Sequence, residues 1–234
     1  MFIKKNIQNS VQAVDVNLLV DFTLLDPRAT TQDIEKLCDI AFKNRYYSVC
    51  VNPVNIKYAK GYILKNFENK LKVCSVVGFP LGANSLQTKL FEAKTAIEDG
   101  ADEIDFVINI GKAKERDFAY IKNEITKVRK TTKKHILKVI IETCYFDDND
   151  IVKLCKICEN IKVDFVKTST GFGTGGANEH VIKLMKSSLN RCKIKASGGI
   201  RTREQAVTFI NLGVERIGTS HIIWFILICF CGIM

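Results

Sequence analysis

What this 234-residue chain lacks narrows it first. It has no block of like charge: 35 basic and 25 acidic residues give a net charge of +10, and the lysines are spread over the whole length. That distribution implies a solvated basic surface with affinity for anionic small molecules, and argues against a nucleic-acid footprint. It shows no secretory leader ahead of its nine cysteines, which lie inside apolar periodic segments and read as reduced thiols in a cytoplasmic chain. Cys155-Lys-Ile-Cys158 has redox or zinc spacing, but without a second pair, and on a helical stretch, it reads as two thiols on a helix face. No metal and no cofactor is called for.

Nor does the chain have an apolar run long enough for a bilayer. The uncharged end over 222–234 would reach only about 20 Å as a helix, against a hydrocarbon core of about 30 Å. Extending it back to 217 takes in Gly218, Ser220 and His221, so stable membrane insertion is not expected. No linker composition or long structureless gap divides the chain, which reads as a single domain over 1–234. Its ends are a basic leading segment, 1–17, suited to a short helix capping one end of the fold, and an atypical apolar tail, 222–234. The tail stands where a final helix should show a polar outer face.

What is present is a regular alternation. Strand-like runs over 18–25, 47–51, 72–77, 103–108, 136–141, 163–168, 193–196 and 215–218 alternate with helical runs over 31–44, 55–65, 85–99, 117–131, 148–160, 178–188 and 202–212. Thr30 and Asp33 are placed to cap the first helix. Such a pattern leaves two α/β architectures, a closed (β/α)8 barrel (the TIM barrel) or an open doubly wound sheet. Eight strands favour closure. A dinucleotide-binding sheet would need its glycine fingerprint after the first strand, and that turn is Leu25-Asp-Pro-Arg28.

The stretch from Val163 to Ala177 carries the chemistry. A short buried strand ends at Lys167, where a cation must snorkel, pair with an anion or lose its proton. The glycines behind it, Gly171, Gly173, Gly175 and Gly176, either form a plain turn or let backbone amides approach a phosphate. Barrel sites are built at the carboxyl ends of the strands. The polar residues expected there are Asp21 and Thr23 from the first strand, Cys50 from the second, Asp105 from the fourth, Lys138 from the fifth, Lys167 from the sixth and Lys195 from the seventh. Any one of them could be a satisfied core polar group, but six strands each delivering a polar residue point to a site.

A free lysine, with a pKa near 10.4, is neutral about once in two thousand at pH 7, and bringing it near 7 takes roughly 4 to 5 kcal/mol. A second cation at about 4 Å, at an effective dielectric of 20, supplies about 4 kcal/mol, so Lys195 beside Lys167 is expected to activate it. An amine so activated attacks a carbonyl and forms a Schiff base. Asp105 is suited to handle the proton when a neighbouring carbon bond breaks or forms.

These residues sit in motifs that resemble deoxyribose-phosphate aldolase: Ala-Asp-Glu-Ile-Asp105-Phe-Val-Ile-Asn, Leu-Lys138-Val-Ile-Ile-Glu-Thr, Asp-Phe-Val-Lys167-Thr-Ser-Thr-Gly-Phe and Ile-Lys195-Ala-Ser-Gly-Gly-Ile-Arg. Phe22-Thr-Leu-Leu, Cys50-Val-Asn-Pro and Val77-Gly-Phe-Pro-Leu-Gly match too, so the similarity runs from about residue 15 to Ser220. The resemblance implies a metal-free class I aldolase that reversibly cleaves 2-deoxy-D-ribose 5-phosphate to D-glyceraldehyde 3-phosphate and acetaldehyde. It implies Lys167 as the Schiff-base lysine, Asp105 and Lys195 for proton transfer and pKa tuning, Lys138 as support, and a phosphate site at Gly171, Gly198, Gly199, Gly218 and Ser220. The chain departs from many members at Phe22, where they carry histidine, and at Asp26, where they carry lysine. Its last tyrosine is Tyr145, so the tail offers no phenol to the site. The alternative reading is a catalytically weak phosphosugar-binding barrel of the same fold. The partner implied is a small phosphosugar, and a homodimer is compatible with either reading.

Overall fold

The computed structural model describes residues 15–222. Eight parallel strands pair in chain order and close on themselves, β8 returning to β1. They are β1 (Val20–Leu24), β2 (Ser48–Val51), β3 (Lys72–Val77), β4 (Glu103–Val107), β5 (Ile136–Ile140), β6 (Phe165–Lys167), β7 (Lys193–Ser197) and β8 (Arg216–Thr219). The helices around them are α1 (Thr31–Lys43), α2 (Ile56–Phe67), α3 (Leu86–Glu98), α4 (Ile110–Lys114), α5 (Phe118–Thr132), α6 (Asp148–Ile161), α7 (Glu179–Ser188) and α8 (Arg203–Asn211). The (β/α)8 barrel expected from the alternation is the fold observed.

Differences are confined to edges. The first strand is shorter than expected because 16–19 wind into a 3-10 turn capped by Asp15, and the sixth holds three residues instead of six. A one-turn helix, α4, intervenes after β4, with the Asn109 carboxamide accepting from the Lys112 amide at 2.9 Å. Five residues are too few to register as a helical period. The helix expected in the leading segment and the one expected in the tail fall, but for a few residues, outside those described. No helix among the described residues is long and apolar enough to cross a membrane.

Two cores follow from closure. Alternate strand residues point outward, where Val20, Val49, Val73, Ile104, Val139, Val166, Ile194 and Ile217 meet the inner stripes of the helices. Helix starts are pinned locally: at α1 the Thr30 hydroxyl accepts from the Asp33 amide at 3.3 Å, and the Asp33 carboxylate accepts from the Thr30 amide at 2.9 Å. Cys155 and Cys158 are buried on the inner face of α6, where desolvation pushes the Cys155 thiol up to about 12.

One ion pair lies wholly inside the outer layer. The Lys89 ammonium of α3 donates to Glu124 of α5 at 2.8 Å and to the Val107 carbonyl at 3.0 Å, both side chains fully buried. The second oxygen of Glu124 accepts from the Asn109 amide at 2.8 Å, so the pair ties the end of β4 to two helices. Removing one partner strands a charge in a dry layer. Glu124→Ala should therefore cost about 3–5 kcal/mol in urea denaturation, and the double change Lys89→Met with Glu124→Leu should recover most of it.

Candidate active site

Inward-facing positions carry a charged layer where a barrel usually holds apolar side chains. Asp105 on β4 is its centre. One carboxylate oxygen accepts from Lys167 at 2.6 Å and from Lys195 at 2.8 Å; the other accepts from Lys138 at 2.8 Å and from the Cys74 thiol at 3.2 Å. Asp21 on β1 forms a second hub. It takes Ser48 and Arg216 on one oxygen, each at 2.7 Å, and Lys195 on the other, with Lys138 at 3.4 Å. Glu103 receives Lys138 at 2.6 Å and Arg216 at 2.9 Å, closing the network at the amino-terminal end.

Register makes these contacts. Asp105 lies beside Lys138, and Lys167 beside Lys195, as paired residues on neighbouring strands. Burial alone would raise both aspartic acids, but the surrounding cations overturn it. Lys138, Lys195 and Arg216 hold Asp21 well below the carboxylate range, and Lys138, Lys167 and Lys195 do the same for Asp105. Burial likewise opposes charge on Lys195 and Lys138, yet Asp105 and Asp21 keep both ammoniums protonated, above the usual lysine value.

The arrangement corrects two sequence expectations. Asp21, Asp105, Lys138 and Lys195 lie within the strands, in the barrel interior, not at the carboxyl ends; of the charged set Lys167 is the residue at a strand end. Nor does Lys195 face Lys167 as a bare cation, because both donate to one oxygen of Asp105, and that carboxylate cancels much of the field between them.

Above Lys167 a cleft of about 720 Å³ opens along the loops that follow β6, β7, β8 and β1. Thr23, Gly171, Gly198, Gly199, Gly218 and Ser220 line it together with Lys167, so the predicted phosphate residues converge on the predicted amine. Gly198 and Gly199 have φ of +85° and +76°, a left-handed turn that bares backbone amides. The remaining glycines of the stretch do something else. A Cβ at Gly176 would stand 2.2 Å from the Gly198 carbonyl, and one at Gly173 would stand 2.9 Å from the Cys144 sulfur, so they let the loop pack on its neighbours. Cys50 is fully buried beside Cys74, away from the cleft. Phe22 turns outward onto Tyr46, at 5.4 Å between ring centroids, and is no part of the site. Asp26 lies on the rim, its carboxylate engaged by Arg28 at 3.0 and 2.8 Å.

Three members of the layer, Glu103, Cys74 and Arg216, were not among the expected site residues. The signal was available: Glu103 stands two residues before Asp105, and Arg216 two before Gly218, so each shares the face of a residue already singled out. Donor atoms of Cys50, Cys74 and Asp105 lie within 4.8 Å of one another, a spacing a metal ion could use. Three ammoniums already occupy the oxygens of Asp105, and a divalent cation placed there would meet all of them.

Residues 14–214 match the family model described as DeoC/LacD family aldolase. The chain is 52% identical over 209 residues to a deoxyribose-phosphate aldolase of Finegoldia magna, covering 88% of this chain and 96% of that protein. It is 51% identical to one of Thermococcus kodakarensis, covering 86% and 91%. Among solved structures it resembles QR15, an aldolase, at a TM-score of 0.84 and 39% identity, covering 88% of this chain and 92% of that one. A tetrameric deoxyribose phosphate aldolase of Aeropyrum pernix is similar at a TM-score of 0.81 and 34% identity, covering 88% and 86%.

The charged layer should be visible in acid. Asp21 and Asp105 titrate below their ordinary value of 3.8 in the folded chain, so the unfolded chain takes up protons first as pH falls. Their stabilisation is complete above about pH 5 and declines below it, by about 1.4 kcal/mol per pH unit for each carboxyl. Urea midpoints measured from pH 7 to pH 3 should fall more steeply for the native chain than for Asp21→Asn.

Proposed function

The chain belongs to the DeoC/LacD family of aldolases, and from that premise we propose that it reversibly cleaves 2-deoxy-D-ribose 5-phosphate to D-glyceraldehyde 3-phosphate and acetaldehyde. The observation that carries this is the amine of Lys167, which stands at the floor of a glycine-walled cleft and bonds to a carboxylate shared with Lys195.

Charge and access together support Lys167 as the nucleophile. Asp21, Glu103 and Asp105 pair with Lys138, Lys167, Lys195 and Arg216, and the buried Glu142, which accepts from the Thr170 amide, adds a fourth carboxylate beside Lys167. Arg216 does not give up a proton, Lys138 and Lys195 are held as ammoniums, and Lys167 is the one of the four that lines the cleft. Its neutral amine adds to C1 of the open-chain sugar, and loss of water leaves an iminium. A base takes the proton of the C3 hydroxyl, the C2–C3 bond breaks, glyceraldehyde 3-phosphate departs, and the electron pair remains as an enamine on Lys167. Protonation of that enamine carbon and hydrolysis release acetaldehyde and restore the amine.

Lys195 and Asp105 serve this proton traffic. The Lys195 ammonium, anchored on Asp21 and Asp105, sets the field at the Lys167 amine, while Asp105 keeps its charge and fixes both amines. Lys138 balances the far oxygen of Asp105, with Asp21 and Glu103 behind it. The phosphate lies on the amides of Gly171, Gly198 and Gly199 and on the Gly218 to Ser220 turn, which suits a dianion in a chain of net charge +10. We place the enzyme in the cytoplasm, in keeping with the seven free cysteines among the described residues, with a phosphosugar as its partner and a homodimer as its assembly.

Borohydride reduction in the presence of the sugar phosphate should leave a covalent adduct on Lys167, read by mass spectrometry and lost in Lys167→Ala. A binding protein without aldolase chemistry gives no adduct. Asp105→Asn and Lys195→Met should each lower kcat of the retro-aldol reaction by about 10²- to 10⁴-fold.

A further inference from the structure

We propose that Phe172, braced by Phe79, roofs the amine of Lys167 and limits the size of the aldehyde that can be joined to it. The inference rests on the aldolase reading and adds a specificity-determining residue to it.

Phe172 follows Lys167 by five positions in the loop after β6 and lines the same cleft. It is 59% exposed, a large apolar ring where a polar loop residue would cost less. Its partner comes from across the barrel mouth. Phe79 sits just after β3, with β4 and β5 between it and β6, and the rings meet edge to face, 5.3 Å between centroids and 89° between planes. That geometry is the favoured one for an aromatic pair.

Phe79 is itself seated. It is half-buried on Cys50, Cys74 and Val76, the small apolar cluster inside the barrel, and the Cys74 thiol bonds to Asp105. The two rings therefore run from the β6 loop to the ceiling over the carboxylate that holds Lys167. From Phe172 the cleft runs along the loops after β6, β7, β8 and β1, where the glycines lie, while Phe79 is not among its lining residues. A phosphosugar enters there with its phosphate on the glycines. The carbons bonded to the Lys167 nitrogen then turn toward the aromatic side, where a two-carbon unit fits beneath the rings and each added methyl presses on Phe172.

The test runs the reaction in the synthetic direction with glyceraldehyde 3-phosphate as acceptor, comparing acetaldehyde with propanal as donor. A methylene group against an apolar wall is worth about 10- to 200-fold in kcat/KM, so Phe172→Ala should raise the propanal-to-acetaldehyde ratio at least about tenfold. Phe79→Leu, which keeps the ceiling filled but removes the brace, should raise it less. Thermal midpoints of both variants establish that they fold. A ratio within twofold of the native value in both overturns the proposal while leaving the aldolase reading intact. A native enzyme that turns over neither aldehyde overturns that reading, and this proposal with it.

Discussion

One carboxylate, Asp105, holds the site together. Buried without partners it would take up a proton; surrounded by three ammoniums and a thiol it stays ionised, and each ammonium has a fixed place because of it. The mutual dependence is strict. Three lysines inside a barrel would repel one another, and Asp21, Glu103 and Arg216 complete a layer in which each charge touches at least one of opposite sign. Such a layer is a poor way to stabilise a core and a good way to hold an amine in one position, since every rotamer change breaks an ion pair.

The layer also separates two tasks. Beneath it, Arg216 stacks on Tyr47, with 3.6 Å between the guanidinium and the ring centroid, and bonds Asp21 and Glu103, so the amino-terminal end of the barrel is shut. Above it, Lys167 is 3% exposed and reaches the cleft. Chemistry is thus confined to one face. At that face the turn at Gly198 and Gly199 bares backbone amides, and Phe172, paired with Phe79, lines the same cleft.

Local rules account for much of this. Thr30 and Asp33 cap α1 as their spacing requires, and the charged side chains at 105, 138, 167 and 195 stand out because each follows an apolar residue within a buried strand. The tertiary structure changed the meaning of several of them. Lys195 bonds to a carboxylate it shares with Lys167, and Gly173 and Gly176 serve packing while Gly171 lines the cleft. Cys50, one residue among the candidates, belongs to a ceiling with Cys74 and Val76.

By itself the sequence determined the alternation of strands and helices, the count that closes a barrel, the lysine at the end of the sixth strand and the family motifs around it. Those are properties of neighbours along the chain: period two, period 3.6, caps and turns. Closure and register decided which side chains meet across the interior. They put Arg216 on Asp21, 195 positions away, Lys195 on Asp21, 174 away, and Phe79 against Phe172 over the mouth. No periodicity carries that information, because a strand states which of its residues face inward, while the partner each one finds depends on the stagger of seven other strands.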